Sequence, residues 1–558
     1  MDPGLRDRTL RWIADDPEPA DRAALQQLLV AAMTGADPAD LAGVMGEPLR
    51  FGTAGLRGPV RPGPAGMNVA VVRRATAGLA AWLVSEGHRG GPVVVGRDAR
   101  HGSEAFARAA AGVLAAAGFA VHVLPGAQPT PLLAFAVQRL RAVAGVQITA
   151  SHNPPQDNGY KVYLGTGDAP GAQLAPPADA RIEAAIGAAP AAVSVPEDRA
   201  ARGLDPTEDY LARMETLRHN GFPLRIALTP LHGVGGATAV HALARTGFTD
   251  VHVVAEQARP DPDFPTVAFP NPEEPGVTDL LLALAAERGA DLAIALDPDA
   301  DRCAIGVPAG GGPAEGPGDS GPGGATGDGV PAWRMLTGDE TGALLGDHLL
   351  RHSASGQGSG DRLVATTVVS SSLLGRIAAA HGARFAETLT GFKWIVRAGP
   401  GLVYGYEEAL GHCVDPDAVR DKDGIATAVV LADLAAGLKA EGRTLLDRLD
   451  ELFAAHGVHR TAGLSLRMPP AQARAVVERL GPPGWEVDRP APDVLRLRRP
   501  ADRDGRAARL VVRPSGTEPK LKAYLEVVEP PDANVAAAKA RADERLADLR
   551  TEAEELLR

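Results

Sequence analysis

Short apolar, β-branched runs alternate with longer alanine-rich or amphipathic stretches along most of the chain. Val93–Val95, Ala120–Leu124 and Val143–Ile148 have the length and composition of buried strands, and 68–85, 103–117 and 131–140 read as helices between them. A second series follows. Leu224–Leu228, Val251–Val254 and Leu292–Leu296 are predicted strands, with helices over 237–246 and 277–288. A third has strands at Arg362–Val369 and Leu402–Tyr404 and helices at 339–350, 372–381 and 425–439. Strands alternating with helices imply parallel or mixed sheets. The ends of the chain differ. Residues 5–45 read as one or two polar surface helices anchored by Trp12. Beyond a helix at 443–455, strands and helices mix over 457–512, and a charged helix at 532–557 closes the chain. The expectation is an α/β protein of four domains. Residues 1–205, 206–330 and 331–445 form three α/β domains with mixed sheets, and 446–558 a smaller α+β domain. The Pro/Ala-rich stretch 168–205 reads as a surface connection, Thr388–Trp394 as a polar, basic turn, and the Gly/Pro-rich tracts 308–330 and 353–360 as loops without a packed core.

The predicted strands end in polar loops of different chemistry. Val143–Ile148 runs into Thr149-Ala150-Ser151-His152-Asn153-Pro154, where the proline removes a backbone donor and pushes Asn153 out of helix. Ser151 thus sits on a loop at the end of a core strand, where open α/β sheets bind ligands. The strand after it carries Lys161 towards the same loop. Leu292–Leu296 delivers Asp297-Pro298-Asp299-Ala300-Asp301-Arg302. Aspartates at i, i+2 and i+4 in a tight loop can aim three carboxylates at one point, an oxygen cage that suits magnesium together with a phosphate oxygen. The loop fails as an EF-hand, lacking the glycine and glutamate that motif needs. Leu402–Tyr404 leads to Glu407-Glu408 and Gly411-His412. Paired glutamates there can accept from two vicinal sugar hydroxyls or be a helix N-terminal acidic cluster. Leu510–Val512 ends in Arg513-Pro514-Ser515-Gly516-Thr517-Glu518-Pro519-Lys520, which combines charge, hydroxyl donors and accessible backbone N–H groups for a phosphate. Upstream, Phe51-Gly52-Thr53-Ala54-Gly55-Leu56-Arg57-Gly58 is a second glycine-rich loop with an arginine for an anion. Each loop alone is compatible with an ordinary turn. A hydroxyl nucleophile, a metal cage, sugar acceptors and a phosphate grip in one chain are complementary.

Composition narrows the class. The 558 residues carry a net charge of −12 without a long basic run, which argues against nucleic acid as a partner. Two distant cysteines, Cys303 and Cys413, exclude a disulfide scaffold and fit a reducing compartment. The polar N-terminus is unlike a signal peptide, and no run of about 18 uncharged apolar residues suggests a membrane span. A soluble, cytoplasmic protein is expected.

Taken together, TASHNP, DPDADR, GYEEALG and RPSGTEPK, with FGTAGLRG upstream, resemble the α-D-phosphohexomutase superfamily, and most closely its phosphoglucomutase/phosphopentomutase branch. The resemblance spans about residue 10 to the end. It implies four domains around a central cleft and reversible phosphoryl transfer between the 1- and 6-positions of glucose or mannose phosphate. Pentose phosphate mutation and sugar-1,6-bisphosphate synthesis are the alternatives, and a sugar phosphatase a remote one. Ser151 would carry the phosphate. Asp297, Asp299, Asp301 and a phosphate oxygen on Ser151 would hold Mg2+. Arg57 and His152 would line the reacting centre, and Lys161, Lys422 and His412 are the acid/base candidates. Arg302, Thr390, Gly391, Lys393, Glu407, Glu408, Arg513, Ser515, Gly516, Thr517 and Lys520 would bind the sugar phosphate. A sugar bisphosphate would act as activator, and the enzyme would be a monomer or homodimer. One departure is Leu410, which stands where the hexose-specific branch has a serine and leaves the sugar open.

Overall fold

The structure, a computed structural model, describes residues 2–52, 54–309, 332–353, 361–515 and 519–557. The 308–330 tract beyond its first two residues, 354–360, and Gly516 and Thr517 lie outside them. The chain divides into two compact units, Met1–Met335 with Asp415–Ala432, and Leu336–Val414 with Asp433–Arg558.

The first unit holds two mixed sheets. In one, the strands Pro92–Arg97, Ala120–Val123 and Ala144–Ile148 pair in parallel, and Asp157–Leu164 runs antiparallel beside Ala144–Ile148. Leu56–Pro59 pairs antiparallel on the far side of Asp157–Leu164, opposing Arg57 to Gly159. The helices Val69–Ser85, Ser103–Ala116 and Thr130–Arg139 pack on this sheet, and its core of Leu79, Leu83, Val93, Leu114, Val146 and Ile148 is inaccessible to solvent. The second sheet has Leu292–Leu296 parallel to Arg225–Thr229, which is parallel to Asp250–Val253, and antiparallel to Cys303–Pro308. All five residues of Leu292–Leu296 are buried, which explains an unbroken apolar run instead of an alternating one.

Two expectations need correction here. The N-terminus is three helices, Pro3–Asp15, Pro19–Met33 and Ala39–Val44, gathered around a small core of Leu5, Ile13, Leu25, Leu29 and Leu41, against which Trp12 packs. The stretch 168–205 is no bare connection. It contributes the strand Arg202–Gly203 to the first sheet and a helix, Ala178–Gly187, that packs on Val69–Ser85 with Ile182 wholly buried. Its alanine and proline content hid a helix anchored by Ile182 and Ile186.

In the second unit, Leu363–Thr367 pairs in parallel with Arg384–Thr388 and with Leu402–Glu407, and Gly411–Cys413 returns antiparallel to the latter. The expected turn at Thr388–Trp394 is instead the end of a strand followed by a short helix, Phe392–Ile395. The other sheet, Val458–Arg467, Lys520–Glu529, Ala507–Pro514, Val494–Arg499 and Glu486–Ala491 in that order, is antiparallel throughout. The fold is thus three mixed α/β sheets and one α+β domain. Among the described residues no helix is long and apolar enough to cross a membrane.

One local design recurs. In each mixed sheet a parallel-paired strand turns directly into an antiparallel return strand, and the turn carries the polar motif: Ser151 before Asp157–Leu164, Asp297–Asp301 before Cys303–Pro308, and Glu408 before Gly411–Cys413. Each turn places one non-glycine residue in the left-handed region: Ser151 at φ +55°, Ala300 at +56° and Leu410 at +63°.

The glycines of the first loop can be separated experimentally. Gly55 has φ +76°, and a Cβ there would overlap the Tyr160 carbonyl oxygen, whereas Gly52 has open space around it. Gly55→Ala is expected to destabilise by about 1–3 kcal/mol in thermal or denaturant unfolding, and Gly52→Ala to leave the transition nearly unmoved.

Candidate active site

The serine turn is built from the inside. Thr149 Oγ1 accepts from the Ser151 amide at 2.9 Å and helps to hold the left-handed backbone. Ser151 is 2 % exposed, and its hydroxyl donates to Asp297 Oδ2 at 2.9 Å, with His152 Nδ1 at 3.2 Å. The hydroxyl and the triple-aspartate loop, 146 residues apart, therefore meet directly. Arg57 reaches the same turn, donating to Asn153 Oδ1 at 3.3 Å.

Asp297, Asp299 and Asp301 are all but inaccessible, and each offers a carboxylate oxygen within 4.8 Å of the others. Cations answer them. Lys161 Nζ lies 2.6 Å from Asp299 Oδ2 and 2.9 Å from Asp301 Oδ2. Lys422 Nζ lies 3.3 Å from Asp301 Oδ2 and 3.3 Å from Asp421 Oδ1. The Arg302 amide donates to Asp297 Oδ1 at 3.1 Å, and its guanidinium lies 3.9 Å from Asp301 Oδ1. Thr130 donates both its hydroxyl, to Asp299 Oδ2 at 2.6 Å, and its amide, to the Asp299 carbonyl at 2.9 Å. Asp299 Oδ1 is left buried without a hydrogen-bond partner. Three oxygen donors with an unsatisfied lone-pair site fit a hard divalent cation.

The titration of the site follows from this crowding. Burial, then the charges of Asp299 and Asp301, push the Asp297 carboxyl well above the usual range. Burial acts the same way on Asp301, but Lys161, Lys422 and Arg302 reverse it and hold that carboxyl below its ordinary value. Lys161 loses solvation, yet Asp299 and Asp301 more than compensate and raise it. His152 is pushed well below its ordinary value by burial and by Arg302 and Arg57, so its ring is neutral at pH 7.

The segment 415–432, expected within the third domain, packs in the first unit. It brings Lys422 by way of Arg213 on Asp415, Tyr163 on Asp421 at 2.7 Å and Tyr210 on Asp423 at 2.8 Å. Gly424 lies so close that a Cβ would crowd the Arg302 carbonyl.

The second unit carries the remaining candidates. Glu407 and Glu408 end their strand, and Glu408 Oε2 accepts from Ser370 Oγ at 2.9 Å and Thr367 Oγ1 at 3.1 Å. Burial, then Glu407 and Asp339, raise the Glu408 carboxyl to about 7. His412 is interior. Its ring stacks on Tyr404 and Tyr406, Nδ1 meets the Tyr404 hydroxyl at 2.9 Å, and burial lowers it to about 3. Thr390 and Gly391 form the turn before Phe392–Ile395, in which Lys393 is buried with Nζ 5.6 Å from the Trp394 ring. Arg513 donates to the Tyr524 hydroxyl at 3.1 Å, and the Ser515 amide closes on the Lys520 carbonyl at 2.8 Å.

Four family models match consecutively: phosphoglucomutase/phosphomannomutase α/β/α domains I, II and III at residues 48–192, 208–310 and 337–456, and the C-terminal domain at 473–545. The chain belongs to the phosphoglucomutase/phosphomannomutase family. This mutase, an isomerase by family, is 38 % identical over 84 % of its length to a probable phosphomannomutase of Haemophilus influenzae, covering 95 % of that protein. It is 32 % identical over 94 % of its length to a probable phosphoribomutase of Schizosaccharomyces pombe, again covering 94 % of the relative. Among solved structures, a protein described as a phosphomannomutase from Thermus thermophilus superposes with a TM-score of 0.65 at 26 % identity, covering 90 % of this chain and all of that one.

Sequence reading of the mutase missed Thr130, Tyr163, Ser370 and, most of all, Arg100, whose guanidinium underlies the serine turn. No local pattern marks them, because each acts on a residue remote in the chain.

Asp423 supplies a pH-dependent test of the packing that carries Lys422. Burial raises its carboxyl to about 7, against the amides of Ala426 and Ile425 and the Tyr210 hydroxyl that stabilise the charge. A raised carboxyl binds its proton more tightly folded than unfolded, so stability falls as pH rises from about 4 to about 7. Asp423→Asn keeps an acceptor for those amides and removes the titration. Its melting temperature relative to the parent is expected to climb across that window and level off above pH 7.

Proposed function

We propose that the enzyme transfers a phosphoryl group reversibly between the 1- and 6-positions of a hexose phosphate, glucose or mannose, through a phosphoserine at Ser151 and a sugar bisphosphate that also serves as activator. The observation that carries this reading is the Ser151 hydroxyl donating to Asp297 inside a buried carboxylate cage. A covalent phosphoserine divides one transfer between sugar positions into two steps. The proposed ligands of Mg2+ are Asp297, Asp299, Asp301 and a phosphate oxygen on Ser151. When bound, the cation supplies charge neutralisation on the transferring group.

The remaining roles belong to this chain's own side chains. Arg57 and Arg302 add fixed positive charge near the serine turn. Neutral His152 accepts the hydroxyl proton when phosphate returns to Ser151. Lys161 and Lys422, both on Asp301, are assigned to the sugar oxygen, which they stabilise as it gains negative charge and can protonate as it leaves. His412, neutral and stacked inside its sheet, is given no proton-transfer role. Glu407 and Glu408 are assigned to the sugar hydroxyls. Arg513, Ser515, Gly516, Thr517 and Lys520 are assigned to the phosphate that is not reacting, with Thr390, Gly391 and Lys393 as further substrate contacts. Both cysteines are buried and free, in keeping with a cytoplasmic protein, and every role falls within one chain, so a monomer or homodimer serves. A pentose phosphate is the second reading, favoured by the relative named phosphoribomutase and by Leu410, buried where a sugar-facing hydroxyl is absent.

A coupled assay across glucose, mannose, ribose and deoxyribose 1-phosphates, with a trace of bisphosphate, tests the reading. Isomer is expected to exceed released phosphate for a hexose, and Ser151→Ala to abolish isomerisation with its melting unchanged. Dominant phosphate release, or full activity in Ser151→Ala, would overturn it. Glu408 adds a pH signature. Its carboxyl ionises as pH passes about 7 and becomes a stronger acceptor, so KM for the sugar phosphate is expected to fall across that range and to stay flat in Glu408→Gln.

A further inference from the structure

Ser151 through Asp157 form an irregular turn rich in carbonyl acceptors. Arg100 meets four of them. Its Nη2 donates to the carbonyls of Ser151 and Asn153, each at 2.6 Å, and its Nη1 to those of Pro154 at 2.8 Å and Asp157 at 3.0 Å. The fifth donor, Nε, faces Asp98 Oδ2 at 3.4 Å. Arg100 is 4 % exposed, and the Phe264 ring lies 5.0 Å from its guanidinium carbon. Asp98 is fixed in turn: its Oδ1 accepts from Ser103 Oγ at 2.6 Å and from the Arg100 amide at 2.9 Å. Ser103 Oγ also accepts from Asn158 Nδ2, at 2.9 Å.

The geometry points to Arg100 as the positioning residue of the nucleophile, a planar fork that sets the backbone of the serine turn and thereby aims the Ser151 hydroxyl. This rests on Ser151 being the phosphate carrier. Ser151 stands in the left-handed region, which a non-glycine residue occupies only when its surroundings over-determine it. The bond to its own carbonyl supplies that constraint at the residue itself, and the bonds to Asn153, Pro154 and Asp157 fix the way out of the turn. An ammonium has three donors and no plane, so lysine keeps the charge but cannot hold four carbonyls at once. Arg100 touches neither the aspartate cage nor the hydroxyl oxygen. Its influence is on orientation, and misplacing a reacting atom by about 1 Å can cost on the order of a hundredfold in rate.

The test is single-turnover transfer of phosphate from glucose 1,6-bisphosphate to the dephosphorylated enzyme, with mass spectrometry reading phosphate on Ser151, in the parent, Arg100→Lys and Asp98→Asn. The rate constant reports on correctly folded molecules, whereas loss of folded enzyme lowers only the amplitude. Arg100→Lys is expected to slow transfer by about tenfold to a hundredfold, with KM for the sugar phosphate within about twofold of the parent. Asp98→Asn keeps the Oδ1 acceptor while removing the counter-charge, and is expected to slow transfer less, by about threefold to tenfold. If Arg100→Lys does not fold, Asp98→Asn decides. Parent-like rate constants in the folded variants overturn the assignment. Absence of phosphate on Ser151 in the parent overturns instead the reading of Ser151 on which it rests.

Discussion

Three carboxylates buried in one turn of five residues repel one another, and the first unit is organised around answering that charge. The apolar strand Leu292–Leu296 drives Asp297–Asp301 into the interior. Lys161 comes from the neighbouring sheet, Lys422 from the segment 415–432, and Arg302 from the loop itself. Each cation is held in its turn by packing of its own element. The neutralisation is incomplete. Asp299 Oδ1 has no hydrogen-bond partner, and the Asp297 carboxyl is driven upward by burial and then by its two neighbours. A buried acidic cage with a carboxylate oxygen left unsatisfied can hold a divalent cation.

The way the motifs are presented is equally mechanical. A parallel-paired strand that reverses into an antiparallel partner needs a turn, and such turns often use a left-handed residue. Glycine is the inexpensive choice. Here Ser151, Ala300 and Leu410 occupy those positions instead. At Ser151 the strain coincides with the hydroxyl that meets Asp297, and Thr149 and Arg100 are the devices that hold it. At Leu410 the side chain is buried, so the turn that presents Glu408 is anchored from beneath. Repetition of one strand–turn–strand unit in three sheets thus delivers three different functional groups by the same backbone geometry.

Much of this was legible in the chain. Apolar runs of three to six residues leading to serine, aspartate or glutamate marked the strands and their turns, because burial writes a continuous hydrophobic signal. That Ser151 and Asp297 come together was implied by the resemblance of their loops to a known family, not by any local pattern. Other features were beyond local pattern. Arg100 precedes the serine by 51 residues in a turn that resembles any polar loop. Thr130 opens an ordinary helix, and only the fold brings it to Asp299. Leu174, Ile182 and Ile186 were sparse anchors in a stretch whose composition suggested a linker. Lys422 was recognised, but not the hold of Tyr163, Tyr210 and Arg213 on its segment across more than 200 residues.

The most direct measurement of the central claim is the affinity for Mn2+, used as a spectroscopic stand-in for Mg2+, of enzyme with and without phosphate on Ser151. If the aspartate cage and the serine oxygen form one site, phosphorylation tightens binding by about tenfold or more, since a charged phosphate oxygen joins the ligands, and Asp299→Asn removes most of the affinity in both states. Equal affinity in both states, or tight binding that survives Asp299→Asn, would mean that hydroxyl and cage do not act together.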